Sequence, residues 1–325
     1  MPKILKLNKR NSLEISPTPP FNFDGTVYAY PHFPTPDFEW QKGTCWQTMN
    51  FKEELLGIKL ENKGTTNRPK IKLRIFSKKK LGRQGIKDIL DELNWRYGFN
   101  EDISEFLKRF KSDKFLMAAM KNWKGMRLNC SNSLYELLII AIVLQNATIR
   151  RTVQMMNTLF EKFGTLLKFD GKKIYAYWSP SDLDKISEED LRKLKVGYRA
   201  KMIKRVSDSF SQGKINEFRL REIPLSEAKE VLLKLYGVGP ATAQILLGEY
   251  FRNYETFDLK GRLWEQKLLS RLLFNKKLVS EKKVINELKK RYGKWKYLAC
   301  HYLFQNLFWQ HKNKKIPWLE KEIRL

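Results

Sequence analysis

Residues 231–247 read VLLKLYGVGPATAQILL. Two runs of helically spaced apolar residues meet at Gly237-Val238-Gly239, and Pro240 follows. Glycines permit positive φ at such a turn and leave its backbone N–H groups uncovered. Proline suits the first position of a helix, where its missing N–H costs nothing. The stretch predicts a helix over Ser226–Leu235, a tight turn, and a second helix over Pro240–Glu249, a hairpin spanning about residues 226–250. N–H groups exposed at a helix N-terminus can bind a phosphate without any base-specific side chain. Val238 and the flanking leucines would anchor the turn below. A plain helical corner with a glycine cap uses the same glycines; the Thr242-Ala243 that follows favours the phosphate-binding form.

Outward from the hairpin, apolar spacing of three and four begins near Gly85. It predicts helices over Asp88–Tyr97, Ile103–Phe110, Ser112–Met120 (capped by Ser112), Ser133–Val143, Arg151–Phe163, Glu188–Leu194, Ala200–Phe210, Arg262–Phe274, Glu281–Tyr292 and Tyr297–Gln310. Ser133–Val143 is apolar nearly throughout, as a central buried helix requires. Residues 11–85 hold Pro, Gly and aromatics instead. There Thr26–Tyr30, Phe38–Gln41 and Ile71–Phe76 read as strands, with basic residues on an open sheet face. The fold class is α+β: an N-terminal antiparallel β-sheet domain with flanking helices (1–120), then a mainly α-helical domain (121–325). The tail from Lys312 reads as basic and loosely packed.

With 63 Lys and Arg against 35 Asp and Glu, the chain carries a net charge of +28. Such self-repulsion destabilises a compact fold unless a polyanion answers it, so a nucleic acid is the natural partner. A merely solubilising surface has the same composition. Cys45, Cys130 and Cys300 are odd in number and far apart, which excludes a disulfide framework, and with only three histidines they form no metal-ligand pattern. No iron–sulfur spacing is present. No apolar run is long enough to span a bilayer, and Met1–Arg10 lacks a signal peptide's apolar core. An intracellular protein without organic cofactor or metal is expected.

The hairpin, the segment Glu255-Thr-Phe-Asp258-Leu-Lys-Gly-Arg-Leu-Trp264, and Gly197-Tyr198-Arg199-Ala200 resemble the helix-hairpin-helix (HhH-GPD) DNA glycosylase superfamily. Within it the chain resembles the 8-oxoguanine and alkylpurine glycosylase branches. Residues 125–146 look like the first helix of the family's catalytic region, and Tyr297–Phe304 like its last long helix. The resemblance covers most of the chain in order. It implies a fold with the hairpin beside the active site, and double-stranded DNA containing a modified base as partner of a monomer. Asp258 is the implied catalytic carboxylate, stabilising positive charge on the sugar as the glycosidic bond breaks; from the residues alone, a helix N-cap is an equal reading. Gly237, Val238 and Gly239 would hold the backbone. Asn146 would enter the gap left by the flipped base, Tyr198 wedge beside it, and Arg151 and Arg199 reach the orphaned partner. A core aromatic and surface phosphate contacts are the plainer readings of Tyr198 and the two arginines.

Bifunctional members carry a nucleophilic Lys where this chain has Ala241. The resemblance therefore implies a monofunctional enzyme that uses water, with Lys234 and Lys260 near enough in sequence to leave weak lyase activity open. The implied base pocket is Ala241, Cys300 and Phe304. Cys300 stands where the 8-oxoguanine branch grips the base with Gln, and Thr35-Pro36-Asp37 lacks that branch's sensing Gly. The base is therefore not named, a modified purine being favoured. Trp264, Trp295 and Trp309 read as core rather than stacking surface. The resemblance is compatible with a monovalent cation at the hairpin. A non-catalytic hairpin binder of DNA and a basic coating protein remain alternatives, the first lacking need for Asp258, the second for a buried pocket.

Overall fold

The computed structural model describes residues 4–322. The N-terminal part contains β1 (Ile4–Lys6), β2 (Lys9–Ile15), α1 (Phe23–Val27), β3 (Phe38–Gln41), β4 (Thr44–Phe51), β5 (Glu54–Asn62), β6 (Ile71–Ser77) and α2 (Arg83–Tyr97). Five strands form an antiparallel sheet in the order β2-β6-β5-β4-β3. The register sets Leu13 opposite Leu73 and Leu73 opposite Leu60. Alternation then sends Ile58, Leu60, Leu73 and Ile75 to one face, where Ile89, Leu93 and Tyr97 of α2 seal them.

The rest is helical: α3 (Ser104–Phe110), α4 (Met117–Trp123), α5 (Leu134–Leu144), α6 (Ile149–Phe163), then the hairpin β7 (Thr165–Phe169) and β8 (Lys172–Ala176), α7 (Glu188–Leu191), α8 (Arg199–Ser211), α9 (Glu217–Leu220), α10 (Leu225–Leu233), α11 (Pro240–Glu249), α12 (Leu263–Phe274), α13 (Glu281–Tyr292), α14 (Lys296–Asn313) and α15 (Pro317–Glu322). Two cores divide them. One unites α5, α6, α8, α10 and α11. The other unites α3 and α4 with α12 through α15. They meet where α11 crosses α14: an added Cβ at Gly248 would lie 2.0 Å from the Tyr297 ring, so only glycine permits this approach.

The predicted α+β architecture is present. Four local expectations are corrected. Thr26–Tyr30 is not a strand; its first two residues end α1, because Asn22 caps the helix through Gly25 N–H (2.8 Å) and the buried Thr26 hydroxyl accepts the Arg127 N–H. Ser112 caps nothing. The helix starts at Met117, and Asp113 instead accepts the N–H groups of Phe115 and Leu116, both at 3.0 Å. The second sheet face is not open. β7 pairs in parallel with β1, and Leu167 and Phe169 of the same hairpin pack on Trp46 and Phe76. Beneath them Lys59 pairs with Asp170 (2.8 Å) and Arg74 with Glu61 (2.9 Å). The tail is not loose either: α15 buries Leu319 completely and Lys267 pairs with Glu322 at 2.7 Å. Trp264 stacks near Phe304 and Phe308, and Trp309 against Trp123, as core residues do.

A buried ionic network ties sheet to helices. Glu92 is 3% exposed and takes Arg96 at 2.8 Å and Arg221 at 2.6 Å. Burial alone would raise its pKa, but the two guanidiniums outweigh that and hold the carboxyl down to about 2.

Candidate active site

α5 opens with a full capping box. The Ser133 hydroxyl accepts the Glu136 N–H (3.3 Å), and the Glu136 carboxylate accepts the Ser133 N–H (2.7 Å). Its apolar body is locked in the core, so its C-terminal end projects Gln145 and Asn146 at a fixed point. Asn146 has φ +49°, the left-handed conformation asparagine tolerates, and is exposed. Its amide donates to the Tyr198 hydroxyl (3.2 Å), which in turn donates to the Gln145 carbonyl (3.3 Å). Arg199 donates to the same carbonyl and lies 4.8 Å over the Tyr198 ring. The Gln145 side chain donates to the Gly237 carbonyl at 2.9 Å. Arg151 donates to the Lys195 carbonyl, in the single π-turn before Gly197. Four of the expected DNA-contacting residues, Asn146, Tyr198, Arg199 and Gly237, are thus joined, with Gln145, which sequence reasoning passed over, as the hub, while Arg151 stands apart on Lys195.

Tyr198 is 44% exposed, so it is not a core aromatic. Arg199 is turned inward at 7% exposure, and its Nε has no partner among the described residues. It props Tyr198 and Gln145 in this state rather than standing free.

In the hairpin, Gly237 has φ +86° and Pro240 occupies the first position of α11. Val238 is buried, while Gly239 and Pro240 are exposed. Val238 N–H bonds Leu235 O, and Ala243 N–H bonds Gly239 O, but the N–H groups of Gly239, Ala241 and Thr242 donate to no described backbone group. These three donors stand at the positive end of the helix dipole, Gly239 exposed, Ala241 half-buried and Thr242 buried. Lys201 and Arg205 reach over the exposed Tyr236 ring at 5.3 and 4.3 Å, adding charge beside the turn. Gly237→Ala is expected to destabilise by about 1–2 kcal/mol, because its Cβ would enter a left-handed conformation and meet Met202 at 2.7 Å. Thermal unfolding reads the loss, and duplex binding should weaken with it.

Asp258 lies in the loop after α11. α12 starts at Leu263 with Arg262 at its N-cap, so Asp258 does not cap that helix. Its carboxylate accepts the N–H groups of Leu259 (2.6 Å) and Lys260 (3.2 Å), which fixes its direction while the residue stays exposed. Buried Phe257 and Leu259 pin the loop from both sides. Gln244 of α11 donates to the Thr256 carbonyl, and a Cβ on Gly261 would sit 3.7 Å from that of Ala241. The loop that carries Asp258 therefore runs along the N-terminal half of α11, with Thr256 held by Gln244 and Gly261 against Ala241. Arg262 donates to the Asp258 carbonyl (3.4 Å) and holds Glu265 through two bonds of 3.0 and 2.7 Å.

Cys300 is 1% exposed on α14, and burial pushes its thiol well above the ordinary range. Phe304 is 9% exposed, one turn further on the same helix. Among the described residues no group of three metal-ligating side chains forms, and no helix is long and apolar enough to cross a membrane.

Residues 139–294 match the model of the HhH-GPD superfamily base excision DNA repair proteins. A probable N-glycosylase/DNA lyase of Methanothermobacter thermautotrophicus is 23% identical over 239 residues, 68% of this chain and 75% of that protein. The 3-methyladenine DNA-glycosylase of Archaeoglobus fulgidus superposes with a TM-score of 0.76 at 19% identity, covering 91% of this chain and 99% of that one. The 8-oxoguanine glycosylase/lyase of Clostridium acetobutylicum, bound to DNA, gives 0.68 at 21% identity, covering 95% and 99%. At those identities the two structures speak for the fold. The hairpin and the loop after it both lie inside the matched stretch, so residues 139–294 are an HhH-GPD region of the base excision DNA repair type, and the relatives that the chain resembles are DNA glycosylases.

Proposed function

We propose that the protein is a monofunctional glycosylase that hydrolyses the bond between a modified purine and its sugar in duplex DNA. The observation that carries this is the oriented, exposed Asp258 carboxylate in the loop whose Gly261 lies against Ala241, the position at which a bifunctional enzyme would hold a lysine. The three free N–H groups of the hairpin bind the backbone phosphate, and Asn146 with Tyr198 fills the space that the flipped base vacates. Positive charge grows on the sugar as the bond stretches. Asp258 stabilises it through space, and its free carboxylate oxygen orients the attacking water. The arrangement acts as a monomer in the compartment that holds DNA.

No organic cofactor enters. A monovalent cation fits the hairpin only through second lone pairs, since the carbonyls of Leu235, Gly237 and Gly239 each already accept a hydrogen bond. No step depends on it.

The test is base release from duplexes each carrying one modified base, with half of every sample treated with alkali before strand sizing. Breakage only after alkali is expected for one substrate or a few. Breakage without alkali would make the enzyme bifunctional, with a lysine such as Lys260 acting. Tight binding with no release from any duplex would favour a non-catalytic hairpin binder.

A further inference from the structure

Three elements of the C-terminal helical core enclose a cavity of about 450 Å³ that shares no residue with the hairpin or the Asp258 loop. Lys267 and Arg271 line it from α12, one turn apart and so on one face of that helix. Lys277 and Leu278 enter from the turn between α12 and α13, and Trp318 and Lys321 from α15. Arg271 lies about 12 Å along α12 from its first residue, toward the end away from Asp258. α15 is held firmly: Leu319 is fully buried, and the Ile316 N–H donates to His311 Nδ1 at 3.0 Å. Trp318 and Lys321 therefore have fixed places.

Charge is out of balance here. Both carboxylates of α15 are already engaged, Glu322 with Lys267 at 2.7 Å and Glu320 with Lys315 at 3.0 Å. Arg271, Lys277 and Lys321 thus have no carboxylate partner among the described residues. The Arg271 Nε is buried without a hydrogen-bond partner among the same residues. Buried polar atoms are ordinarily satisfied, so an unmet guanidinium donor in a cavity wall calls for an acceptor that the free protein does not supply. The surrounding chain deepens the potential. Residues 267–294 hold ten Lys and Arg against two Glu, a field that draws anions toward the cavity. The walls are also apolar. The Trp318 ring packs half-buried on the helical core, and the Arg271 guanidinium stands 5.9 Å from its centre. Leu278 is 51% exposed.

We infer that this cavity is a nucleotide-binding site distinct from the DNA cleft, in which Trp318 and Leu278 take a nucleobase while Arg271, Lys277 and Lys321 take its phosphate. The inference goes beyond the glycosylase reading and does not depend on it. A guanidinium fork matches the oxygens of a phosphate, and two lysines add point charge around the dianion. Every nucleobase has a face that stacks on an indole, so the site is indifferent to which base arrives. The cavity falls in the size range of small-ligand sites, about 300–1,000 Å³. A free nucleotide and the phosphorylated end of a single strand present the same base and phosphate. An acidic peptide would answer the cations and leave the aromatic wall unused.

The experiment titrates adenosine monophosphate, inorganic phosphate and a 5′-phosphorylated thymidine oligomer into the full chain at constant ionic strength. The chain is first saturated with a duplex bearing an abasic analogue, which keeps the hairpin face occupied. The wild type should bind adenosine monophosphate about 10-fold more tightly than inorganic phosphate. Trp318→Leu should remove that advantage and leave phosphate binding unchanged, and Trp318→Phe should restore it. Lys277→Ala combined with Lys321→Ala should weaken both anions about 10-fold. All variants should bind the duplex within about twofold of wild type, which reports an intact fold. An oligomer that binds more tightly than the mononucleotide, with the same dependence on Trp318 and the two lysines, assigns the site to a strand end; one that binds no more tightly assigns it to the free nucleotide. No binding of adenosine monophosphate up to about 10 mM overturns the inference. So does equal affinity for both anions that Trp318→Leu does not move, binding seen only when the duplex is withheld, or displacement of the nucleotide by a polyglutamate peptide that binds more tightly.

Discussion

Asp258→Asn is expected to lower base release by about 10²–10³-fold while leaving duplex affinity within about twofold. The amide keeps the shape and can still accept the Leu259 and Lys260 N–H bonds that aim the side chain. What it removes is the negative charge, which acts only as the sugar becomes positive. An interaction made in the transition state and not in the bound state should reduce kcat and kcat/KM together. Single-turnover release from the preferred duplex, with binding to an abasic analogue measured alongside, separates the two quantities. Unchanged release would remove Asp258 from the chemistry, and lost binding would make it a structural residue of the hairpin loop.

The second large effect is on stability. Glu92→Gln should cost about 3–5 kcal/mol, because it strands the Arg96 and Arg221 guanidiniums beside each other in the interior. For a chain of this size the midpoint of thermal unfolding should fall by about 6–15 °C. The pH dependence gives an independent reading. Glu92 is held down at about 2, below the ordinary 4.5. Its contribution is therefore fully present above about 4.5 and is lost as pH falls from there toward 2. Wild-type unfolding followed by circular dichroism should show a drop in that window that the variant lacks. A variant as stable as the wild type at pH 7 would mean that the network is solvated.

Much of this was legible in the chain. The helical hairpin was readable because Gly-Val-Gly-Pro imposes its own backbone geometry, and the helix predicted from Pro240 to Glu249 is the one observed. Glu281–Tyr292 was equally clear, being amphipathic. The β7–β8 hairpin went unread, although Asp170-Gly171 is a strong turn signal, both residues having positive φ (+46° and +77°). Surrounding helical periodicity masked it. Thr26–Tyr30 misled because short apolar alternation is weaker than a cap and a buried hydroxyl bond supplied from elsewhere.

Local chemistry in the sequence determined the fold class and the hairpin, since each depends on residues within a few positions of one another. Tertiary structure decided the rest. Gln145 became a hub only because α5 ends beside both Tyr198 and Gly237. Arg199 turned inward because the Gln145 carbonyl was there to receive it. His32 and Glu249 stand 217 positions apart, yet their side chains come within 3.9 Å, and α11 meets α14 because Gly248 lets Tyr297 approach it, outcomes of long-range packing that no local pattern encodes.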